Sequence, residues 1–151
     1  MKALSRKSAW SETAVVEFLE TFKGPVRIAA TTEFGFPLIC SLWYQHWEGT
    51  LLCATQRRAA LAQHLARDGR CAFELSTNEP PYFGLRGRGV ASISSEGAPE
   101  ILEQVASRYL GEEDSPFRQW LRNRAEDEVC IRIEPAWMTT WDYRNRMTAP
   151  S

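Results

Sequence analysis

The stretch VRIAATTEFGFPLICSLWYQHWEGTLLCAT, residues 26–55, decides the fold. Val26 to Thr32 is a run of branched and small residues, Glu33 to Phe36 is a turn, and Pro37 to Tyr44 is a second apolar run. Gln45 to Gly49 closes a hairpin, and Thr50 to Thr55 returns as a further run. Short runs rich in β-branched and aromatic residues, bounded by Gly, Pro and polar clusters, read as strands. Loops this short join neighbouring strands antiparallel, so residues 26–55 predict a meander.

Working outward, Ser11 to Phe22 places Val15, Phe18, Leu19 and Phe22 on one helical face, with Ser11 as cap and Gly24-Pro25 as the stop. Beyond the meander the period switches. Arg57 to Arg67 has Ala60, Leu61, His64 and Leu65 in helical register, and Asp68-Gly69 ends it. Arg70 to Thr77 is β again, and Pro80 and Pro81 keep the next loop out of any ladder. Tyr82 to Ser95 reads as a long strand, bent or bulged where Gly84, Gly87 and Gly89 fall. Pro99 to Leu110 is amphipathic, with Ile101, Leu102, Val105 and Tyr109 inward, and Ser115-Pro116 starts another helix. Glu128 to Trp141 is a last strand with Val129, Ile131 and Ile133 on one face. Six strands with only short helices between them predict a closed or nearly closed barrel, because closure removes exposed edges. Its interior fills with side chains, so a ligand binds outside the barrel or at a subunit seam.

The chain of 151 residues suits one domain, and 44% apolar with 25% charged residues is an ordinary globular balance. A net charge of −1 supplies no global field for nucleic acid or an anionic membrane. No run approaches the roughly 18 apolar residues of a membrane helix. Lys2, Arg6 and Lys7 have no apolar run behind them, so no signal peptide is expected. Cys40, Cys53, Cys71 and Cys130 each sit in an apolar, strand-like run and read as buried thiols of a reducing, cytoplasmic compartment, not as a zinc site. Residues 1–10 read as a loosely ordered arm, 11–145 as the single domain and 146–151 as a tail.

The segment Leu51 to Arg58 is the best place for an anion. A buried strand runs into a helix start, with Thr55 able to cap and Arg57 and Arg58 in the first turn, where cations are otherwise unfavourable. Trp43, Tyr44, Trp47, Trp137 and Trp141 offer faces on which a flat ring could stack. Gly84 to Gly89 lacks the dinucleotide spacing and reads as a bulge or a close backbone approach. No nucleophile elbow is present and neither His46 nor His64 has a nucleophile beside it in sequence, so no catalytic acid, base or nucleophile is assigned. Such a chain fits chemistry carried by a bound cofactor.

Several local phrases, in order, resemble the FMN-binding split-barrel superfamily, which includes pyridoxamine phosphate oxidases and deazaflavin-dependent reductases. They are Ile28 to Pro37, Leu42-Trp43-Tyr44, the Glu48-Gly49 hairpin, Leu51 to Thr55, Leu65 to Ala72, Leu85 to Gly89, Arg108 to Gly111, and Ile133 to Pro135 with Trp141-Asp142. The resemblance covers about residues 14–143 and implies a mainly β (α+β) fold, a six-stranded antiparallel split β-barrel with short flanking helices. It implies a homodimer with FMN in the subunit seam, acting as an oxidoreductase on a small organic substrate. By position, Ser41, Leu42, Trp43 and Tyr44 would pass along the ring, and Ala54 and Thr55 would touch the ribityl-phosphate side. Tyr82 and Trp141 would close on the ring. Family members usually carry a phosphate-binding lysine where this chain has Leu61, so Arg57 and Arg58 are the residues left to take the phosphate. The substrate-binding Arg-x-His motif of true pyridoxamine phosphate oxidases is missing. F420 or haem in place of FMN, a non-catalytic flavin or haem binder, and a cofactor-free dimeric module are the other readings. Neither nucleic acid nor membrane is among the expected partners.

Overall fold

The computed structural model describes residues 1–147. Four helices and seven strands follow one another as α1 (Glu12–Thr21), β1 (Val26–Thr31), β2 (Pro37–Leu42), β3 (Gln45–Trp47), β4 (Thr50–Gln56), α2 (Ala60–Arg67), β5 (Arg70–Ser76), β6 (Phe83–Ser94), α3 (Ala98–Leu110), α4 (Pro116–Arg122) and β7 (Glu128–Asp142). The strands form one sheet in the order β2-β1-β5-β6-β7-β4-β3, every pairing antiparallel. There are seven strands, not the expected six: Gln45–Trp47, read as hairpin closure, pairs with Thr50–Leu52 as a short strand. Glu48 and Gly49 take positive φ of 45° and 84° between them, the two-residue turn that suits the strand twist.

Alternation sets the barrel interior. Val26, Ile28 and Ala30 of β1, Cys71, Phe73 and Leu75 of β5, and Leu85 and Ala91 of β6 are buried together with Leu51, Cys53, Ile131 and Ile133. The curvature needs glycine at two points. A Cβ on Gly87 would come within 2.5 Å of the Phe73 ring, and one on Gly89 within 2.3 Å of the Glu134 carbonyl. The β6–β7 register shifts between Arg88 and Gly89, so these glycines let the barrel's own strands approach and bend.

The helix starts follow the capping residues. Ser11 accepts from the Ala14 amide at 3.2 Å and Ser115 from the Arg118 amide at 3.2 Å. Against expectation, Thr55 caps nothing: it lies in β4 opposite Val129, and α2 begins at Ala60 behind Ala59, which makes no side-chain cap bond. Continuing the ladder to Gln56 uses backbone groups that an earlier helix start would have left unpaired.

Residues 1–10, expected as a loosely ordered arm, lie along β7. Ala3 and Ser5 hydrogen-bond to the Met138 backbone at 2.7 and 2.8 Å, and the Trp10 indole N–H donates to Asp142 at 3.0 Å. Of the expected tail, 148–151 lie outside the described residues. Among the described residues no helix is long and apolar enough to cross a membrane.

Candidate functional site

The barrel is split between β2 and β4. Among the described residues β2 has a ladder partner only on its β1 side, and beyond Leu52 β4 is paired only with β7. Both edges line a slot of about 330 Å³ that α3 and α4 cover. Ser41, Leu42, Trp43, Ala54 and Thr55 line it, so the fold brings these five expected residues together. Strand edges supply backbone donors and acceptors, and a planar ring bearing polar edges is the kind of guest that uses them.

The wall of the slot is aromatic. Trp43 stacks on Tyr109 with ring centres 5.1 Å apart and planes 9° apart. Phe117 meets Trp43 edge-on at 6.4 Å and stacks on Trp120 at 5.5 Å. Phe117 and Trp120 are 47% and 48% exposed, large apolar surface at the mouth of a cavity. The buried Arg118 guanidinium fixes α4 there by bonds to Glu103 at 3.0 Å, Ser107 at 2.9 Å and the Gly111 carbonyl. Arg122 adds bonds to Glu103 at 2.7 Å and Asp114 at 2.8 Å; Arg122 and Arg118 hold the Glu103 carboxyl below its ordinary range, and the Gln119 amide, with the arginine charge behind it, does the same for Asp114.

Behind the aromatics lie Arg124, placed 4.2 Å above the Trp120 ring, and Glu128. Glu128 is only 7% exposed. Its carboxylate has no hydrogen bond or ion pair among the described residues, and desolvation raises its pKa above the ordinary value despite the opposing charge of Arg124. Sequence reasoning passed over Phe117, Trp120, Arg124 and Glu128. The visible signals were aromatics at helical spacing after the Ser115-Pro116 start and an acid at the head of an apolar strand.

Tyr44 is elsewhere. Its side chain is fully buried, and its hydroxyl donates to the Leu19 carbonyl at 2.9 Å and receives Arg108 at 3.3 Å. Burial raises its phenol pKa well above the ordinary value. It ties α1 to the barrel. Arg57 and Arg58 are exposed in the turn between β4 and α2, and neither guanidinium has an ion pair or hydrogen bond among the described residues. Leu61 is 3% exposed and belongs to the core, so a charged residue there would face the barrel interior.

Tyr82 and Trp141 form a separate group. Trp141 pairs opposite Gly84 near the far end of β6–β7 with Arg86 5.7 Å from its ring, and neither Tyr82 nor Trp141 lines the slot. They border the outward face of β1, β2, β5, β6 and β7. There the register aligns Ile39, Ala29, Ala72, Arg88 and Trp137 in one row and Ser41, Arg27, Glu74, Arg86 and Thr139 in the next. A shallow depression of about 420 Å³ lies over these rows. Ile39 is 67%, Val90 55% and Trp137 37% exposed, and Phe34 and Phe36 protrude from the adjoining β1–β2 turn.

This strand order, with its split and its helices over the gap, is found in solved structures. A conserved hypothetical protein of Mycobacterium tuberculosis superposes with a TM-score of 0.80 at 22% identity, covering 98% of this chain and 94% of its own. The fold is the split barrel of the pyridoxamine phosphate oxidase type. An F420 reductase with this split barrel matches at a TM-score of 0.69 and 18% identity, over 82% of this chain and 94% of its own. The FAD binding protein of Mycobacterium smegmatis matches at 0.58 and 18%, over 87% and 96%. No protein-family model and no curated protein matches the sequence.

Proposed function

We propose that this split barrel is a cytoplasmic homodimer that holds FMN and serves as an oxidoreductase for a small organic substrate. The observation that carries the reading is the slot at the split, where two unpaired strand edges meet an aromatic wall. A flavin ring is flat, apolar on its faces and polar along one edge, which is what such a slot accommodates. Ser41, Leu42, Trp43, Ala54 and Thr55 hold the ring and its first ribityl atoms. Arg57 and Arg58, exposed and unpaired among the described residues, are the cations left for the phosphate in place of a lysine. When bound, the flavin supplies hydride or electron transfer, and the chain positions the ring and shields it from water.

The dimer supplies what one chain lacks. The uncovered row of Ile39, Ala29, Ala72, Arg88 and Trp137 is largely apolar, with Arg88 as its one charge, and a two-fold pairing of such faces would cover it. In that seam Tyr82 and Trp141 of one copy border the site of the other. Flavin- and F420-named neighbours of the same fold support a ring cofactor of this size. F420 is the second reading, favoured by Arg27, Arg86 and Arg88 around the outer depression, because that cofactor is the more anionic.

The test is a visible spectrum of the purified protein, FMN and F420 titrations, and light scattering. A dimer that binds FMN saturably in the micromolar range, and reduces or oxidises substrates only when loaded, is the expected outcome. A colourless protein that binds neither cofactor sinks the reading. Binding without turnover leaves a carrier.

A further inference from the structure

The slot carries a polar pair that the flavin reading does not use. Glu128 heads β7 directly opposite Gln56, is 7% exposed, and lines the cavity without a hydrogen-bond partner among the described residues. Its oxygens still reach water through the slot, so a ligand that donates to it exchanges a solvent contact for a direct charge-assisted hydrogen bond. Arg124, the nearest cation in the cavity wall, lies over Trp120, and Asp127 is the neighbouring acid. A cationic ligand would meet Arg124 and an anionic one would meet Glu128. A neutral edge that alternates N–H and C=O suits both.

We propose that Glu128 is the acceptor that reads the imide edge of the bound ring, taking the flavin N3–H, with Arg124 on a flanking carbonyl and Trp43, Phe117 and Trp120 gripping the ring. This assignment rests on the flavin reading and sets the pyrimidine end of the ring at the Gln56–Glu128 end of the slot. It makes Glu128 a ligand-specificity residue, and it predicts discrimination against any flat ring of the same size that lacks the N–H, because such a ring has no donor for the carboxylate and holds water away from it.

The experiment compares riboflavin with 3-methylriboflavin by fluorescence titration. Riboflavin has no phosphate, so Arg57 and Arg58 drop out of the comparison. The unmutated protein is expected to bind the N3-methyl compound at least tenfold more weakly. Glu128→Ala is expected to lose a similar factor for riboflavin and to show no preference between the two. Glu128→Gln, whose amide oxygen still accepts, keeps part of the preference. Equal affinity of the unmutated protein for the two flavins overturns the assignment, and that arm needs no variant to fold. A preference that survives in Glu128→Ala overturns it too. If the unmutated protein binds FMN but ignores N3 methylation, only the role of Glu128 falls. If it binds no flavin, the cofactor reading falls with it.

Discussion

The two halves of β7 face different surroundings. From Glu128 to Ile131 every residue is buried, because the barrel core covers one face and α3 the other, with Ala98 and Ile101 packed on Leu52 and Cys130. From Trp137 to Trp141 the strand alternates: Met138 and Thr140 point into the core while Trp137, Thr139 and Trp141 point out. Among the described residues, only strand residues line the depression on that outer face. The first half is finished by its own chain, and the second is an aromatic sheet face left for something else to cover. Helices α3 and α4 lie over the split, where unpaired edges need cover, and the proposed dimer would cover the other face.

The largest effect should come from the finished half. Ile131→Ala, in a fully buried position, is expected to lose about 2–5 kcal/mol by urea unfolding, at every protein concentration. Ile39→Glu, in the uncovered row, is expected to convert the dimer to monomer by light scattering with a monomer fold retained by circular dichroism. A dimer that persists in Ile39→Glu would move the seam elsewhere. Replacing both Arg57 and Arg58 by alanine should weaken FMN by about 1–3 kcal/mol, roughly tenfold to a hundredfold, and leave riboflavin unchanged. Loss of both ligands alike would detach the arginines from the phosphate.

Smaller effects probe how α4 is held over the split. Ser115→Ala removes the cap at 3.2 Å and should cost about 1 kcal/mol, with a matching rise in mobility of Phe117 and Trp120 read by Trp fluorescence quenching. The smallest is a slope. Burial raises the folded-state pKa of Glu128, so the folded protein binds more protons than the unfolded chain just above the ordinary carboxyl range. Stability from this group is therefore greatest at low pH and is lost as pH rises through the raised value. Urea unfolding of the unmutated protein and Glu128→Gln at pH 4 and pH 7.5 should show the variant gaining on its parent at the higher pH. A constant difference would mean that the carboxylate is solvated or paired.

Much of the fold was legible because it depends on local chemistry. The runs at 26–32 and 50–55 came out as read to within a residue, the run at 37–44 as a strand that stops at Leu42, and the serine caps at Ser11 and Ser115 and the glycine bend of β6 as read. Strand count failed at Gln45–Trp47, which is too short and too polar to stand out and is a strand only because β4 lies beside it. The helix start failed at Thr55 because the β7 ladder carried β4 on to Gln56, a long-range contact that outweighs a capping preference. The arm at residues 1–10 is ordered by backbone bonds to Met138 that have no local signature.

The candidate site divides in the same way. Ser41 to Trp43 and Ala54-Thr55 were marked by their place at strand ends, whereas Tyr44, one residue on and past the end of β2, is buried with its hydroxyl bonded to the Leu19 carbonyl and Arg108. By itself the sequence determined where most of the strands and helices lie and that the chain carries almost no net charge, since these follow from period, caps and composition. Only the tertiary structure decided that α4 lies over the split, that Glu128 lines the slot with no hydrogen bond or ion pair among the described residues, and that the face of Ile39 and Trp137 is left open. Those depend on contacts between residues far apart in the chain, where packing rather than propensity sets the outcome.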